Sequence, residues 1–269
     1  MNTLFFLKVV LSFVVGGLFV TACTVAAERF GSAVGGIIGG IPSTVVVTLF
    51  FIGLVESPHV ASRATEIIPL IVGFNGLFLV AYAAFARRGF AVGLCTAFLV
   101  WGTLSFLAVR IDPVGFAVSL ACYFFLLSLC YFTFQRLLHV PIFQGRNILV
   151  SPGQLSLRAL FSGGIIALAV WLSRVSNPTI GGMFSVFPAV FISTLVIAYQ
   201  VRGLEFSRAL TKPMMISGMI NVVVYAVCVR YLYLSVGIGL GTLLAFLISL
   251  VSAYGTYLLA RSKQPHGIT

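Results

Sequence analysis

The chain has 269 residues, 60% of them hydrophobic and only 8% charged, against roughly 25% charge in a soluble globular domain. So little charge cannot cover a water-facing surface, which excludes a soluble globular protein and points to a multi-pass membrane protein. The net charge of +11 does not point to nucleic acid, because the Lys and Arg residues stand singly or in pairs at the ends of apolar runs, where lipid headgroups and the positive-inside rule put them.

The first apolar run predicts a membrane span over 4–26. Within it, Val20-Thr21-Ala22-Cys23 resembles a lipoprotein cleavage site. Lys8 is the sole basic residue of the segment, however, and follows an apolar start, and more apolar sequence follows Cys23. The segment is therefore read as a retained span. The second span, 32–55, carries GGIIGGIPSTVVVTL from Gly35 to Leu49. A third span over 67–86 joins a fourth over 90–109 through Arg87-Arg88-Gly89. A fifth covers 114–134. The stretch 135–156 contains Pro141, Gly145, Pro152 and Gly153 and is a poor continuous helix. Four more spans follow: 157–173, 178–201, 213–231 and 234–260. The seventh carries GGMFSVFPAVFISTL from Gly181 to Leu195. Cys23, Cys95, Cys122, Cys130 and Cys228 all lie in apolar runs without a CxxC, which reads as helix packing and not as a disulfide frame or metal site.

The two quoted segments agree at Gly35/Gly181, Gly36/Gly182, Pro42/Pro188, Thr48/Thr194 and Leu49/Leu195, at an offset of 146 residues. Asn75/Asn221, Gly93-Leu94/Gly239-Leu240 and Thr96/Thr242 keep that offset. Gly16-Gly17/Gly163-Gly164, Ser62-Arg63-Ala64/Ser207-Arg208-Ala209 and Pro69/Pro213 keep it within two residues. Matches in common order at a near-constant spacing predict an internal repeat. The expected fold is thus an all-α polytopic transmembrane bundle of about nine spans. A first four-helix repeat (1–110) is followed by a linking transmembrane helix (111–135), a cytoplasmic loop (136–156), a second four-helix repeat (157–262) and a cytoplasmic tail (263–269). Equivalent helices are five spans apart. An odd separation reverses their direction, which makes the repeats inverted in topology, as in many secondary transporters. Eleven basic residues fall on one side of the membrane and five on the other, which predicts a cytoplasmic C-terminus, an outside N-terminus and residence in a bacterial-type inner membrane.

Pro42 and Pro188 fall in the middle of charge-free runs. A proline leaves the carbonyl four residues back, Ile38 or Phe184, without its helical donor. Such a carbonyl is tolerated in hydrocarbon only against protein or a wet cavity. Asn75 and Asn221 sit near the middle of their spans, with Tyr82 and Tyr225 on their faces. Ser43, Thr44 and Thr48 follow the first proline; Ser193 and Thr194 follow the second. These eleven residues are the candidate solute-binding set. Gly35, Gly36, Gly39, Gly40, Gly181 and Gly182 are candidate hinge or helix-packing positions. The same asparagines would equally serve as glue between helices. Lys8 and Arg158, near the starts of matching spans, read as snorkelling to headgroups, with attraction of an anionic solute as the alternative.

Catalysis finds no support. His59, His139 and His266 are scattered, and no acidic pair, Ser/His/Asp set or phosphate loop is present. No cofactor and no metal are expected. The expected partners are the lipid bilayer and a small solute, not nucleic acid; a homo-oligomer is left open.

The duplicated Gly-Gly-x5-Pro unit and the inverted four-span halves resemble the architecture of the drug/metabolite transporter superfamily. Its small multidrug exporters use a glutamate within the first helix. Here that span holds only Lys8 in its body and Glu28 at its end, so proton-coupled cation export does not carry over. The unit also looks like that of small four-helix bacterial membrane proteins, which implies a single ancestral unit. The function expected is alternating-access transport of a small neutral or anionic solute through a midplane site between the repeats. A non-transporting scaffold or accessory subunit and a lipid-headgroup flippase are the alternatives.

Overall fold

The computed structural model describes residues 3–29, 41–111, 115–138, 140 and 150–262. Among them the structure is helical without a strand: α1 (Thr3–Arg29), α2 (Ser43–Val55), α3 (Pro58–Ala64), α4 (Ile68–Phe85), α5 (Phe90–Arg110), α6 (Phe116–Arg136), α7 (Pro152–Val175), α8 (Pro178–Ser185), α9 (Ala189–Ala209), α10 (Thr211–Ser235) and α11 (Ile238–Ser262). Eight helical stretches are long and apolar enough to cross a membrane, and α2 is a shorter apolar helix. Large apolar side chains such as Leu99, Phe125 and Val251 are about 70% exposed, whereas Asn75, Asn221, Arg158 and Arg208 are buried. That is the inverse of a water-soluble surface and marks a membrane-embedded helical bundle.

Local sequence explains where the helices begin and end. The turn between α4 and α5 is a single 3₁₀ turn, Ala86–Arg88, closed by Gly89 at φ 133°, a backbone angle that favours glycine. α7 starts at Pro152, five residues before the expected 157. Ser151 and Gln154 form a reciprocal capping box there, which satisfies two orphan amides. The expected seventh span is not one helix. It is α8, a break at Val186-Phe187, and α9, and α9 is itself interrupted at Gly203 (φ 81°, ψ −173°). The third span likewise gains the short helix α3, capped by Ser57 with Pro58 in its first turn.

α4 lies at the centre, packed by α5, α6 and α10, and its span is 83% buried. α1 and α7 run antiparallel in close contact. Gly16 lies against Ile166, Gly163 against the Phe13 carbonyl, and Thr24 receives a hydrogen bond from Arg158. The α3–α4 segment is likewise antiparallel to the segment ending in α10. Ser62 donates to the Arg230 carbonyl (2.8 Å), Gly76 faces Met219, and Arg208 donates to the Ala83 carbonyl (3.0 Å).

The snorkelling expected of Arg158 is corrected. It is 7% exposed, and its guanidinium binds the hydroxyls of Ser193, Thr194 and Thr24. Hydroxyls from two distant helices replace its water, as burial of a guanidinium requires. Lys8 donates to the Leu54 carbonyl (2.7 Å) at the C-terminal end of α2, where a cation is favoured.

Candidate functional site

The chain around Pro188 reads Ser185-Val186-Phe187-Pro188-Ala189. Pro188 cannot donate, and its ring disfavours helix at Phe187. α8 therefore unwinds in a tightened turn, Val186 N–H to the Met183 carbonyl (3.3 Å) and Phe187 N–H to the Phe184 carbonyl (3.1 Å). This corrects the expectation for Phe184, whose carbonyl has a donor because the turn tightens instead of continuing as α-helix. The carbonyl released by the break is that of Val186, and Asn75 Nδ2 donates to it at 2.8 Å. α9 then begins anew, with Ala189 N–H to the Phe187 carbonyl (2.7 Å) and Ile192 N–H to the Pro188 carbonyl (2.9 Å).

The start of α2 has the same bonds. Ser43 N–H reaches the Ile41 carbonyl (2.8 Å) and Val46 N–H the Pro42 carbonyl (3.0 Å). Pro42 (φ −76°, ψ 55°) and Pro188 (φ −73°, ψ 37°) occupy the N-cap positions, and neither helix has a side-chain cap. The amides of Thr44 and Val45, and of Val190 and Phe191, are first-turn donors with no intrahelical acceptor.

Both helix starts border one cavity of about 60 Å³. Its lining comprises Ile41, Pro42, Ser43, Thr44 and Val45 from the start of α2, Val186, Phe187, Pro188, Val190 and Phe191 from the break before α9, and Asn75, Gly218 and Val222 from α4 and α10. None of these side chains is charged. Gly218 makes room for the Phe191 ring, which would lie 2.7 Å from an added Cβ. The Phe187 ring stands in an aromatic cluster with Trp101 (5.0 Å between centroids), Phe98 and Phe161. Asn75 is 7% exposed, and its Oδ1 has no hydrogen-bond partner.

Of the eleven candidate residues, Pro42, Ser43, Thr44, Asn75 and Pro188 line this cavity. The other six have different surroundings. Thr48 returns its hydroxyl to the Thr44 carbonyl (2.8 Å). Tyr82 shares a hydrogen bond with Ser207 (2.6 Å). Ser193 and Thr194 hold Arg158. Asn221 Oδ1 accepts from Ser252 (2.8 Å), and Tyr225 is fully buried. Gly181 fits against Ser173, and an added Cβ on Gly182 would lie 2.0 Å from the Ala64 carbonyl oxygen, so both let helices approach closely. Gly35, Gly36, Gly39, Gly40 and Ile38 lie outside the described residues. The Val186 carbonyl, Phe187, Phe191 and Gly218 were not foreseen. The Phe-Pro pair was the one visible signal; the others depend on how distant helices meet. Among the described residues no group of His, Cys, Asp or Glu is placed to hold a metal.

Residues 9–135, just under half of the chain, match the model of a family described as a protein of unknown function, DUF3147. No curated protein matches the chain, and no solved structure does. None of these comparisons links it to the drug/metabolite transporter superfamily.

Proposed function

We propose that the chain is an integral membrane transporter built from two inverted repeats, moving a small solute by alternating access through the cavity at the starts of α2 and α9. The observation that carries this reading is that cavity, where the proline-capped starts of α2 and α9 meet beside a buried asparagine with an unpaired oxygen. Unpaired backbone and amide groups in hydrocarbon cost several kcal/mol unless protein or a wet cavity meets them. Discontinuous helices facing each other at a repeat interface are the usual form of transporter sites.

Contacts at the 146-residue offset (188 less 42) support the repeat. Lys8 bonds Leu54 and Gln154 bonds Gln200. Thr65 donates to the Ser62 carbonyl and Thr211 to the Arg208 carbonyl, each at 2.6 Å. The break at Glu56-Ser57 before α3 has its counterpart at Gly203, before the last turns of α9. Inversion is supported by the equivalent pairs that touch, α1 with α7 and α4 with α10, because each pair is antiparallel. A twofold axis along the membrane normal would leave equivalent helices parallel. The match to residues 9–135 covers the first half and α6, in keeping with a unit that once stood alone. On the basic-residue count, the C-terminus would face the cytoplasm and the N-terminus the outside of a bacterial-type inner membrane.

Metabolite profiles of cells with and without the gene would nominate solutes, and flux into proteoliposomes would test them. Flux that disappears with Asn75→Leu in folded protein supports transport. Absence of flux for every nominated solute, with the cavity variants behaving as wild type, leaves a scaffold. Transfer of labelled lipid headgroups instead would mark a flippase.

A further inference from the structure

We infer that the cavity is a binding site for a small monocarboxylate that carries a hydroxyl beside the carboxylate. This rests on the transporter reading, whose substrate class it names. The first observation is electrostatic. The uncapped N-terminal ends of α2 and α9 both border the cavity, and each helix start bears roughly half a positive charge together with free amide donors. Thr44, Val45, Val190 and Phe191 supply those amides. With no charged side chain in the lining among the described residues, the two ends balance about one negative charge; they repel a cation and under-compensate a dianion.

The second observation is independent. Asn75 Nδ2 is committed to the Val186 carbonyl. Flipping the amide would set its oxygen against that carbonyl, acceptor to acceptor, so Oδ1 is the end of this cavity-lining side chain left without a donor. It is an acceptor, 93% buried, without a partner. A plain carboxylate offers it no hydrogen; a hydroxyl beside the carboxylate does. The hydroxyls of Ser43 and Thr44, also in the lining, donate or accept as the bound group requires. Size sets the last limit. The cavity's volume of about 60 Å³ is far below the 300–1,000 Å³ or so of drug-sized pockets and suits small acids.

The test compares glycolate, acetate and glycolamide on the purified full-length protein, by thermal stabilisation and by labelled uptake into proteoliposomes. Acetate lacks the hydroxyl hydrogen and glycolamide lacks the charge. Glycolate should bind about tenfold more tightly than either, since one hydrogen bond is worth about 2- to 13-fold, and more when it relieves a buried acceptor. Asn75→Ala should erase the preference for glycolate over acetate and keep the preference for acetate over glycolamide. The wild-type series alone suffices if that variant fails to fold. Equal affinity for all three, glycolamide binding best, or no binding of any overturns the substrate class. Glycolate that binds without being moved overturns transport and leaves the site assignment standing. Uptake of glycolamide as fast as glycolate overturns the substrate class and leaves transport standing.

Discussion

Asn75 and Asn221 occupy the same register of two matching helices, yet their surroundings differ. Asn75 lines the cavity, reaches across to the Val186 carbonyl and leaves its oxygen buried without a partner. Asn221 is fully buried and accepts a hydrogen bond from Ser252 on the neighbouring helix α11. The position equivalent to Ser252 in the first half is Phe106, which is 58% exposed and has no hydrogen to offer. Under the proposed repeat, the flanking helix thus offers Asn221 a hydroxyl and carries none at the equivalent position of the other half.

The comparison breaks first at Asn75. Asn75→Leu should lower flux per folded molecule at least tenfold, while the protein inserts and folds, since Leu is well tolerated in an apolar interior and only the site loses its acceptor. The Val186 carbonyl then loses its donor, so a small drop in thermal stability is expected as well. Wild-type flux in folded Asn75→Leu would remove Asn75 from the site and make both asparagines packing residues.

A second variant moves the partner of Asn75 instead. Gly182→Ala places a Cβ 2.0 Å from the Ala64 carbonyl oxygen, a backbone atom that cannot swing aside. α8 must shift from α3 and carry Val186 with it. Stability should fall by about 1–3 kcal/mol, and flux should fall in the same variant, because the carbonyl that orients Asn75 moves. Unchanged flux in a measurably destabilised protein would show that the orientation of Asn75 does not depend on the break.

Asn221→Leu should do the opposite of Asn75→Leu. Removing one partner of a buried pair costs about 1–3 kcal/mol, read as a lower unfolding midpoint in detergent, with flux per folded molecule unchanged. Equal loss of flux at Asn75 and Asn221 would mean that both reach the solute and that the Ser252 contact is incidental.

Much of this was legible in the sequence, and the failures share a cause. Pro42, Pro188 and Asn75 stand out because proline and asparagine are costly in an apolar run whatever surrounds them. Each recurs at one offset, so their placement needed no knowledge of packing. The free carbonyl was assigned to Phe184 by a rule that assumes the helix continues to the proline; the chain unwinds one turn earlier, and Val186 is left instead. Arg158 looked like a headgroup anchor because it sits near a span end, but Thr24, Ser193 and Thr194, 134, 35 and 36 residues away in the chain, bury it. The same limit hid the difference between the asparagines. Ser252 was visible as a letter, but that it reaches Asn221 depends on how α11 packs on α10.

The finest test lies in that contact. Ser252→Ala removes the hydroxyl that Asn221 Oδ1 accepts and adds no bulk. Hydrogen bonds between membrane helices measure about 0.6 kcal/mol on average, so a loss of about 0.5–1 kcal/mol is expected, below the cost of Asn221→Leu. The difference between a direct contact and a shared neighbourhood appears in combination. If Ser252 acts through Asn221, the double variant Ser252→Ala with Asn221→Leu should cost about as much as Asn221→Leu alone, because the second change removes a bond already lost. Ser252→Ala with Asn75→Leu should be additive in stability, since the two sites share no hydrogen-bond partner, and its flux should equal that of Asn75→Leu alone. Flux that falls with Ser252→Ala by itself would connect α11 to solute movement, and the division of labour between the two asparagines would then have to be redrawn with Asn221 as a second gate.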